Sequence, residues 1–307
     1  MKWKKLGLVY APTGEFWWAR QAAMIPTPIV INDKTIRVYM TCCDDDGIGR
    51  IGQIDLDYTD PTKILNVHKE PVLDIGQPGT FDDNGVLVCS VLSANDTDLY
   101  MYYAGFELSQ KIRYRLLTGL ATKSEKTSSF SRVFKSPVLD RSNDELFFRG
   151  GPFALNENGL FKIWYVAGSS WEKVGNQTKP VYEIRYLESN DGINWGPKGT
   201  SCIKIEHENE HGFGRPYVVK HDNKYHMFYS VRRRDVESYR LGYAVSDNGL
   251  DWERKDDELN LDVSDSGWDS NMICYSAVIK TGRGWHMFYN GNGFGKTGFG
   301  VAELLSW

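Results

Sequence analysis

Arg37-Val-Tyr-Met40, Met101-Tyr-Tyr-Ala104, Ile163-Trp-Tyr-Val166, Met227-Phe-Tyr-Ser230 and Met287-Phe-Tyr-Asn290 are five copies of one short apolar-aromatic strand. Their shared tyrosines, Tyr39, Tyr103, Tyr165, Tyr229 and Tyr289, stand 64, 62, 64 and 60 residues apart. A second strand precedes each copy in phase: Pro26-Thr-Pro-Ile-Val30, Cys89-Ser-Val-Leu92, Gly151-Pro-Phe-Ala-Leu155, Arg215-Pro-Tyr-Val-Val219 and Tyr275-Ser-Ala-Val-Ile279. Its aligned positions Pro28, Ser90, Pro152, Pro216 and Ser276 step by 62, 62, 64 and 60. Two marks that share one five-fold period define a repeat protein rather than a chance pattern.

Working outward, each unit continues into a third strand: Arg50–Ile54, Thr118–Thr122, Ile184–Glu188, Leu241–Val245 and Gly298–Ala302. Two of these run into matching turns, Ser189-Asn-Asp-Gly-Ile-Asn-Trp195 and Ser246-Asp-Asn-Gly-Leu-Asp-Trp252. Asp-Gly and Asn-Gly supply the positive φ of a tight hairpin, so these Asp-box-like turns read as structural. Short strands, Gly-rich turns and little helical periodicity at this spacing predict an all-β fold, a five-bladed β-propeller with four antiparallel strands per blade. The segment from Trp3 to Tyr10 is expected to supply the outermost strand of the last blade, closing the ring and removing its open edges. With no linker or composition shift, residues 1–307 are expected to form one domain.

The bulk numbers exclude other classes. No stretch approaches the roughly 18 apolar residues of a membrane-spanning helix. The N-terminus has no signal-peptide apolar run, so the Asn-x-Thr matches at Asn95 and Asn176 read as chance. A net charge of −4 and a pI near 5.9 leave no nucleic-acid footprint. The basic run Arg232-Arg233-Arg234 reads first as a solvated loop. Five cysteines, an odd number without metal-ligand spacing, point to reduced thiols in the cytoplasm. Aromatic residues reach 13%, which suits both buried sheets and sugar-binding surfaces.

In a propeller the innermost strands line a central channel, and the segments just before them converge on its mouth. Two of those segments match, Phe81-Asp82-x-Asn84 and Trp268-Asp269-x-Asn271. Acids in corresponding places on different blades would face each other across one cavity. Glycoside cleavage uses that arrangement, one carboxyl protonating the leaving oxygen while another activates water or attacks. Asp82 and Asp269 are therefore the expected catalytic pair. Glu210, within Glu206-His-Glu-Asn-Glu-His211, is the expected acid, with Glu208 as its substitute. Asp83, Asn84 and Asn271 fall beside them as substrate-binding candidates. Arg149 and Arg215 stand at inner-strand starts, where a guanidinium can fork onto sugar hydroxyls, phosphate or a carboxylate. Trp17, Trp18, Trp171 and Trp268 are candidates for sugar-stacking walls. The His207–His211 cluster lacks a fixed ligand spacing and no calcium-loop motif is present, so no metal or other cofactor is expected.

The five-fold period and the acids before the inner strands resemble the five-bladed β-propeller glycosidase superfamily over essentially the whole chain. That group includes arabinanases and xylosidases, invertase-like fructosidases and mannoside phosphorylases. The Phe81–Val86 and Trp268–Ile273 phrases look closest to a bacterial branch of predicted glycosidases near polysaccharide-synthesis genes. The resemblance implies action on a small glycan or activated sugar. Studied members carry an essential Asp at the start of blade one, yet Gln21-Ala-Ala-Met-Ile-Pro-Thr-Pro28 contains no acid. Three readings stay open: hydrolysis by relocated acids, phosphorolysis with Arg149, Arg215 and Arg232–Arg234 holding phosphate, and binding without turnover.

Overall fold

The computed structural model describes residues 1–95, 97–124, 127–174, 177–236 and 238–307; Asn176, the second Asn-x-Thr match, lies outside them. The described residues form twenty strands, which fall into five antiparallel units of four. Unit one holds β2 (Gln21–Asn32), β3 (Thr35–Cys43), β4 (Gly49–Asp57) and β5 (Ile64–Val67). Unit two holds β6 (Val86–Ser93), β7 (Asp98–Leu108), β8 (Tyr114–Ser124) and β9 (Ser131–Arg132). Unit three holds β10 (Arg149–Glu157), β11 (Leu160–Val174), β12 (Gln177–Ser189) and β13 (Thr200–Ile203). Unit four holds β14 (Glu210–His221), β15 (Lys224–Arg233), β16 (Tyr239–Ser246) and β17 (Glu253–Arg254). Unit five joins β18 (Cys274–Thr281), β19 (Gly284–Asn290) and β20 (Phe299–Ser306) to β1 (Lys2–Tyr10), whose Lys2 lies opposite Ser306 and Tyr10 opposite Phe299.

The first strands neighbour one another in a cycle: β2 lies beside β6 and β18, β6 beside β10, β10 beside β14, and β14 beside β18. The apolar core follows the same order. One buried cluster joins units one and two through Tyr39, Ile51, Val88 and Met101, and another joins units two and three through Tyr102, Leu120, Ile163 and Tyr165. Trp164 and Met227 tie unit three to four, Phe228 and Met287 tie four to five, and Val38 and Phe288 tie five to one. Each sheet thus buries both faces against its neighbours, and burial of apolar surface is the dominant favourable term in folding.

The repeated tyrosines sit on the second strand of each unit. Tyr103 lies opposite Gly119 and Tyr229 opposite Gly242 on the third strands. A Cβ at Gly119 would stand 2.2 Å from the Tyr103 ring, and one at Gly242 would stand 2.3 Å from the Tyr229 ring. The glycines let each ring cross flat over the neighbouring strand, so that its hydroxyl reaches the loop beyond.

Candidate functional site

Four of the five repeat hydroxyls end on carboxylates, buried in units two, three and five and part-exposed in unit four. In unit two Tyr103 donates to Asp82 Oδ2 at 3.0 Å, Arg132 Nε donates to the same oxygen at 2.7 Å, and Thr80 donates to Oδ1 at 2.9 Å. In unit five Tyr289 donates to Asp269 Oδ2 at 3.0 Å, and Lys5 Nζ donates to the same oxygen at 2.7 Å. In unit three the Tyr165 hydroxyl stands 2.8 Å from both oxygens of Glu145, which also takes Arg185 and the Gly199 N–H at 2.9 Å. Arg149 Nε is 2.6 Å from Glu145 Oε2, an ion pair too bent to count as a hydrogen bond. In unit four Tyr229 donates to Asp256 at 2.6 Å, and Arg254 links Asp256 to Glu210 at 2.6 and 2.5 Å.

These four clusters are one device. In units two, three and five a carboxylate from the connection before the first strand is clamped by a tyrosine of the second strand and by bases of the same unit; in unit four Tyr229 takes Asp256, just after the fourth strand, and Arg254 joins it to Glu210 at the start of the first. The structure does not bring Asp82, Asp269 and Glu210 to one of the cavities described here. Asp82 and Asp269, 1% and 2% exposed, are each held inside their own unit, and neither lines the cavity at the mouth described below. Glu210 is taken by Arg254 and by the Glu206 and His207 N–H groups, and it faces a separate cleft with Asp256 and Glu258. The matching Phe/Trp-Asp-x-Asn phrases mark a repeated clamp.

Unit one lacks the device. The Tyr39 hydroxyl is buried with no partner among the described residues, and the adjacent Arg37 is held by both oxygens of Asp55 at 2.8 and 3.0 Å. Tyr103→Phe removes a hydrogen bond to a charged group and is expected to cost about 1.5–3 kcal/mol. Tyr39→Phe removes an orphaned hydroxyl and should fall within ~0.5 kcal/mol of wild type. Paired urea melts of the two variants check the contrast; equal losses would show that the clamp carries no stability.

The other candidates divide in the same way. Trp18 is fully buried, stacked on Phe16 and bonded to the Lys69 carbonyl at 2.8 Å, while Trp268 packs on Tyr289. Trp17 is exposed, with Arg50 over its ring. Arg149 is spent on Glu145 and on the Asp140 and Gly196 carbonyls, and Asp83 caps the Gly79 N–H. The Asn271 backbone is bonded to Asn292, Ser238 and Arg240. Asn84 and Arg215 do reach the centre, Asn84 lining the mouth and Arg215 its floor, whereas Trp171 lines neither space and stands edge-on to Tyr114 at 5.8 Å.

At the centre of the cycle lies a cavity of about 570 Å³, lined among others by Gln21, Met24, Asn84, Arg113, Arg232 and Lys296. Below it a pocket of about 110 Å³ takes residues from all five units, including Cys89, Gly151, Arg215 and Tyr275. Among the described residues no Asp or Glu lines either space. Arg113, Arg232 and Lys296 form no ion pair among the described residues. Tyr114, Tyr239 and Tyr275 belong to both linings, and the hydroxyls of Tyr182 and Tyr239 are in contact. Arg232 stands 6.0 Å from the Tyr239 ring centre. Burial, then the Tyr182 and Tyr275 hydroxyls, pushes the Tyr239 phenol well above its usual range, so it stays a hydrogen-bond donor.

Most of the charged groups of this wall come from the connections between second and third strands, not from the segments before first strands. Arg113 precedes β8, Arg232 is next to last in β15, and Lys296 precedes β20. A signal for part of it was present: Tyr182 and Tyr239 each stand three residues before the partner of a repeat tyrosine, Arg185 opposite Tyr165 and Gly242 opposite Tyr229.

His211 lies behind this wall. Its ring is 4% exposed, Nδ1 is 3.6 Å from Glu172, and Nε2 has no partner. Burial first, then Arg232 and Arg234, pushes its pKa down to about 4. Protonation therefore favours the unfolded chain, where the pKa is about 6.5. The stability that neutral His211 contributes is complete above pH ~6.5 and is lost as pH falls from there toward ~4. Thermal melts across that window should fall less steeply for His211→Gln than for wild type. Parallel curves would refute the assignment, because the other buried histidines, His226 and His286, are common to both proteins.

Comparison with known proteins defines the class. The chain superposes on a solved glycoside hydrolase with a TM-score of 0.74 at 17% identity, covering 97% of this chain and 90% of that one. A thermostable family-43 glycoside hydrolase gives 0.67 at 17% identity over 92% and 89%. The fold is thus that of the β-propeller glycoside hydrolases. In sequence the chain is 34% identical to the uncharacterized protein Rv1502 of Mycobacterium tuberculosis over 99% of both chains, and it belongs to that protein's family. It is also 34% identical to a 1,2-beta-oligomannan phosphorylase of Thermoanaerobacter over 43% of this chain and 47% of the other. No family model matches the sequence.

Proposed function

We propose that the protein is a single five-bladed propeller, residues 1–307, that cleaves a glycosidic bond of a small glycan at the channel mouth with phosphate as nucleophile. The observation that carries this reading is the mouth itself, with Arg113, Arg232 and Lys296 gathered where no described carboxylate lines the cavity. Hydrolysis with paired carboxyls needs two acids facing one sugar, and the three expected acids are held in ion pairs away from the mouth. Three unpaired cations instead favour a polyanion, and guanidinium groups suit phosphate geometry. The partial similarity to an oligomannan phosphorylase supports the same reading and points to a β-mannoside.

In this reaction a hydrogen phosphate oxygen attacks the anomeric carbon and the bond to the leaving sugar oxygen breaks. The phosphate's own proton ends on that oxygen, giving a glycosyl phosphate and a shortened glycan. The Tyr182–Tyr239 hydroxyl pair lies beside Arg232, and the one proton not used between the two hydroxyls is donated to the anion. Five unpaired cysteines support a reducing, cytoplasmic setting, and among the described residues no helix is long and apolar enough to cross a membrane.

The test is turnover of β-mannosides and other small glycosides in phosphate and in phosphate-free buffer. Release of sugar phosphate in the first and nothing in the second is expected. Equal release of free sugar in both would return the reading to hydrolysis. Binding with no turnover in either would make it a carbohydrate-binding propeller.

A further inference from the structure

Arg215 holds its charge where no described carboxylate answers it. It leaves the start of unit four with φ 42° and is 3% exposed. Its Nη1 donates to the carbonyls of Tyr275 at 3.0 Å and Ser276 at 2.6 Å. Its Nη2 donates to the Pro26 carbonyl at 3.1 Å and to Thr27 Oγ1 at 2.8 Å. One guanidinium therefore ties β14 to β18 and β2 across the floor of the central space. All four acceptors are neutral. Among the described residues Nε has no partner, and neither does the buried Oγ of Ser276.

Neutral oxygens satisfy N–H groups but bring no negative charge, and a buried charge without a counter-ion is unfavourable. Burial lowers the Arg215 pKa only to about 10, so the group remains cationic at neutral pH. The pocket it lines has about 110 Å³, space for some three or four waters at ~30 Å³ each. That volume suits a small ion and is confined compared with the 570 Å³ cavity above it. The lining also includes Tyr114, Tyr182, Tyr239 and Tyr275; because the Tyr182 and Tyr239 hydroxyls bond to each other, at most three phenol protons are left for an anion.

We propose that this floor pocket is a binding site for one small inorganic anion that serves as the counter-ion of Arg215. The site is separate from the cations at the rim and does not depend on the reaction proposed above. Its occupant is a halide or inorganic phosphate, which share the same chemistry here. Filling it neutralises the charge at the meeting point of three units and stabilises the folded ring by mass action.

The test uses the whole wild-type protein. Crystals grown in bromide are expected to show an anomalous peak in the floor pocket, within hydrogen-bond distance of Arg215 or of a lining tyrosine hydroxyl. Loss of that peak on adding phosphate, with phosphate density in its place, would keep the anion site and identify phosphate as its occupant. Bromide only at Arg113, Arg232 or Lys296, with water in the floor pocket, would overturn the proposal. In solution the melting temperature should rise by a similar increment for each ten-fold increase in chloride, against gluconate at equal ionic strength. Arg215→Met should remove that dependence. If the variant does not fold, the wild-type crystals still decide the matter, and an unchanged chloride dependence in a folded Arg215→Met would also overturn it.

Discussion

Alanine at Glu145 is expected to lower the stability of the fold by about 3–5 kcal/mol, the range for breaking a buried ion pair from one side. The Glu145 side chain is 1% exposed and Arg149 4%, so the change leaves a buried guanidinium with the Asp140 and Gly196 carbonyls and the Tyr165 hydroxyl, all neutral, as its partners. Arg185 loses its 2.9 Å contact but keeps Glu183, and Tyr165 and the Gly199 N–H lose their acceptor. Four donors from four parts of unit three are thus released by one substitution. Glu145→Gln retains the size and one acceptor oxygen, so its loss should be clearly smaller. Chemical denaturation of the two variants beside wild type checks the order. The same logic separates structure from chemistry at Asp82 and Asp269. Asn at either position is expected to lower the melting temperature while the folded fraction turns over substrate at the wild-type rate. Abolished turnover at unchanged stability would restore them as catalytic acids.

The clamp explains what the sequence revealed and what it concealed. The tyrosine period is legible because each copy solves the same backbone problem, a ring crossing a third strand to reach a loop, with Gly119 and Gly242 making room. The Asp-box-like turns are legible for a similar reason: Asp191 Oδ1 accepts the Ile193 and Asn194 N–H groups at 2.8 Å, and Asn248 Oδ1 does the same for Leu250 and Asp251 at 2.8 and 2.9 Å. A repeated phrase around an acid, however, reports a repeated structural need. Phe81-Asp82 and Trp268-Asp269 match because both acids serve a tyrosine and a base of their own unit. A catalytic group is needed once, so it has no reason to recur. Arg113, Arg232 and Lys296 share no phrase, although each lies at or beside the connection between the second and third strands of its own unit. Their convergence is a property of the ring, and only the closed arrangement of first strands brings them together. Arg215 was visible as a site residue from its place at a strand start. Its descent into the floor, bonded to β2 and β18, depends on a left-handed φ that the sequence does not announce.

Arg232→Ala is expected to reduce phosphate-dependent turnover by roughly 10²–10³-fold, the loss typical of removing one fixed donor from a charge-stabilising site. Arg232 is half-buried, forms no ion pair among the described residues and stands over Tyr239, so its removal strips charge from the mouth without orphaning a carboxylate. The fold should therefore hold, with a melting temperature close to wild type, in contrast to Glu145→Ala. Lys296 is exposed at the rim, where solvent and salt screen its charge, and Lys296→Ala should cost about ten-fold or less. If phosphate binds between them, the phosphate KM rises in both variants and the difference from wild type narrows as ionic strength increases. Arg232→Lys keeps the charge but loses the planar fork, and an intermediate rate would show that geometry as well as charge is used. Turnover of Arg232→Ala within two-fold of wild type would remove the mouth as the reaction site. It would leave the Glu210 cleft, with Asp256 and Glu258, as the next place to look.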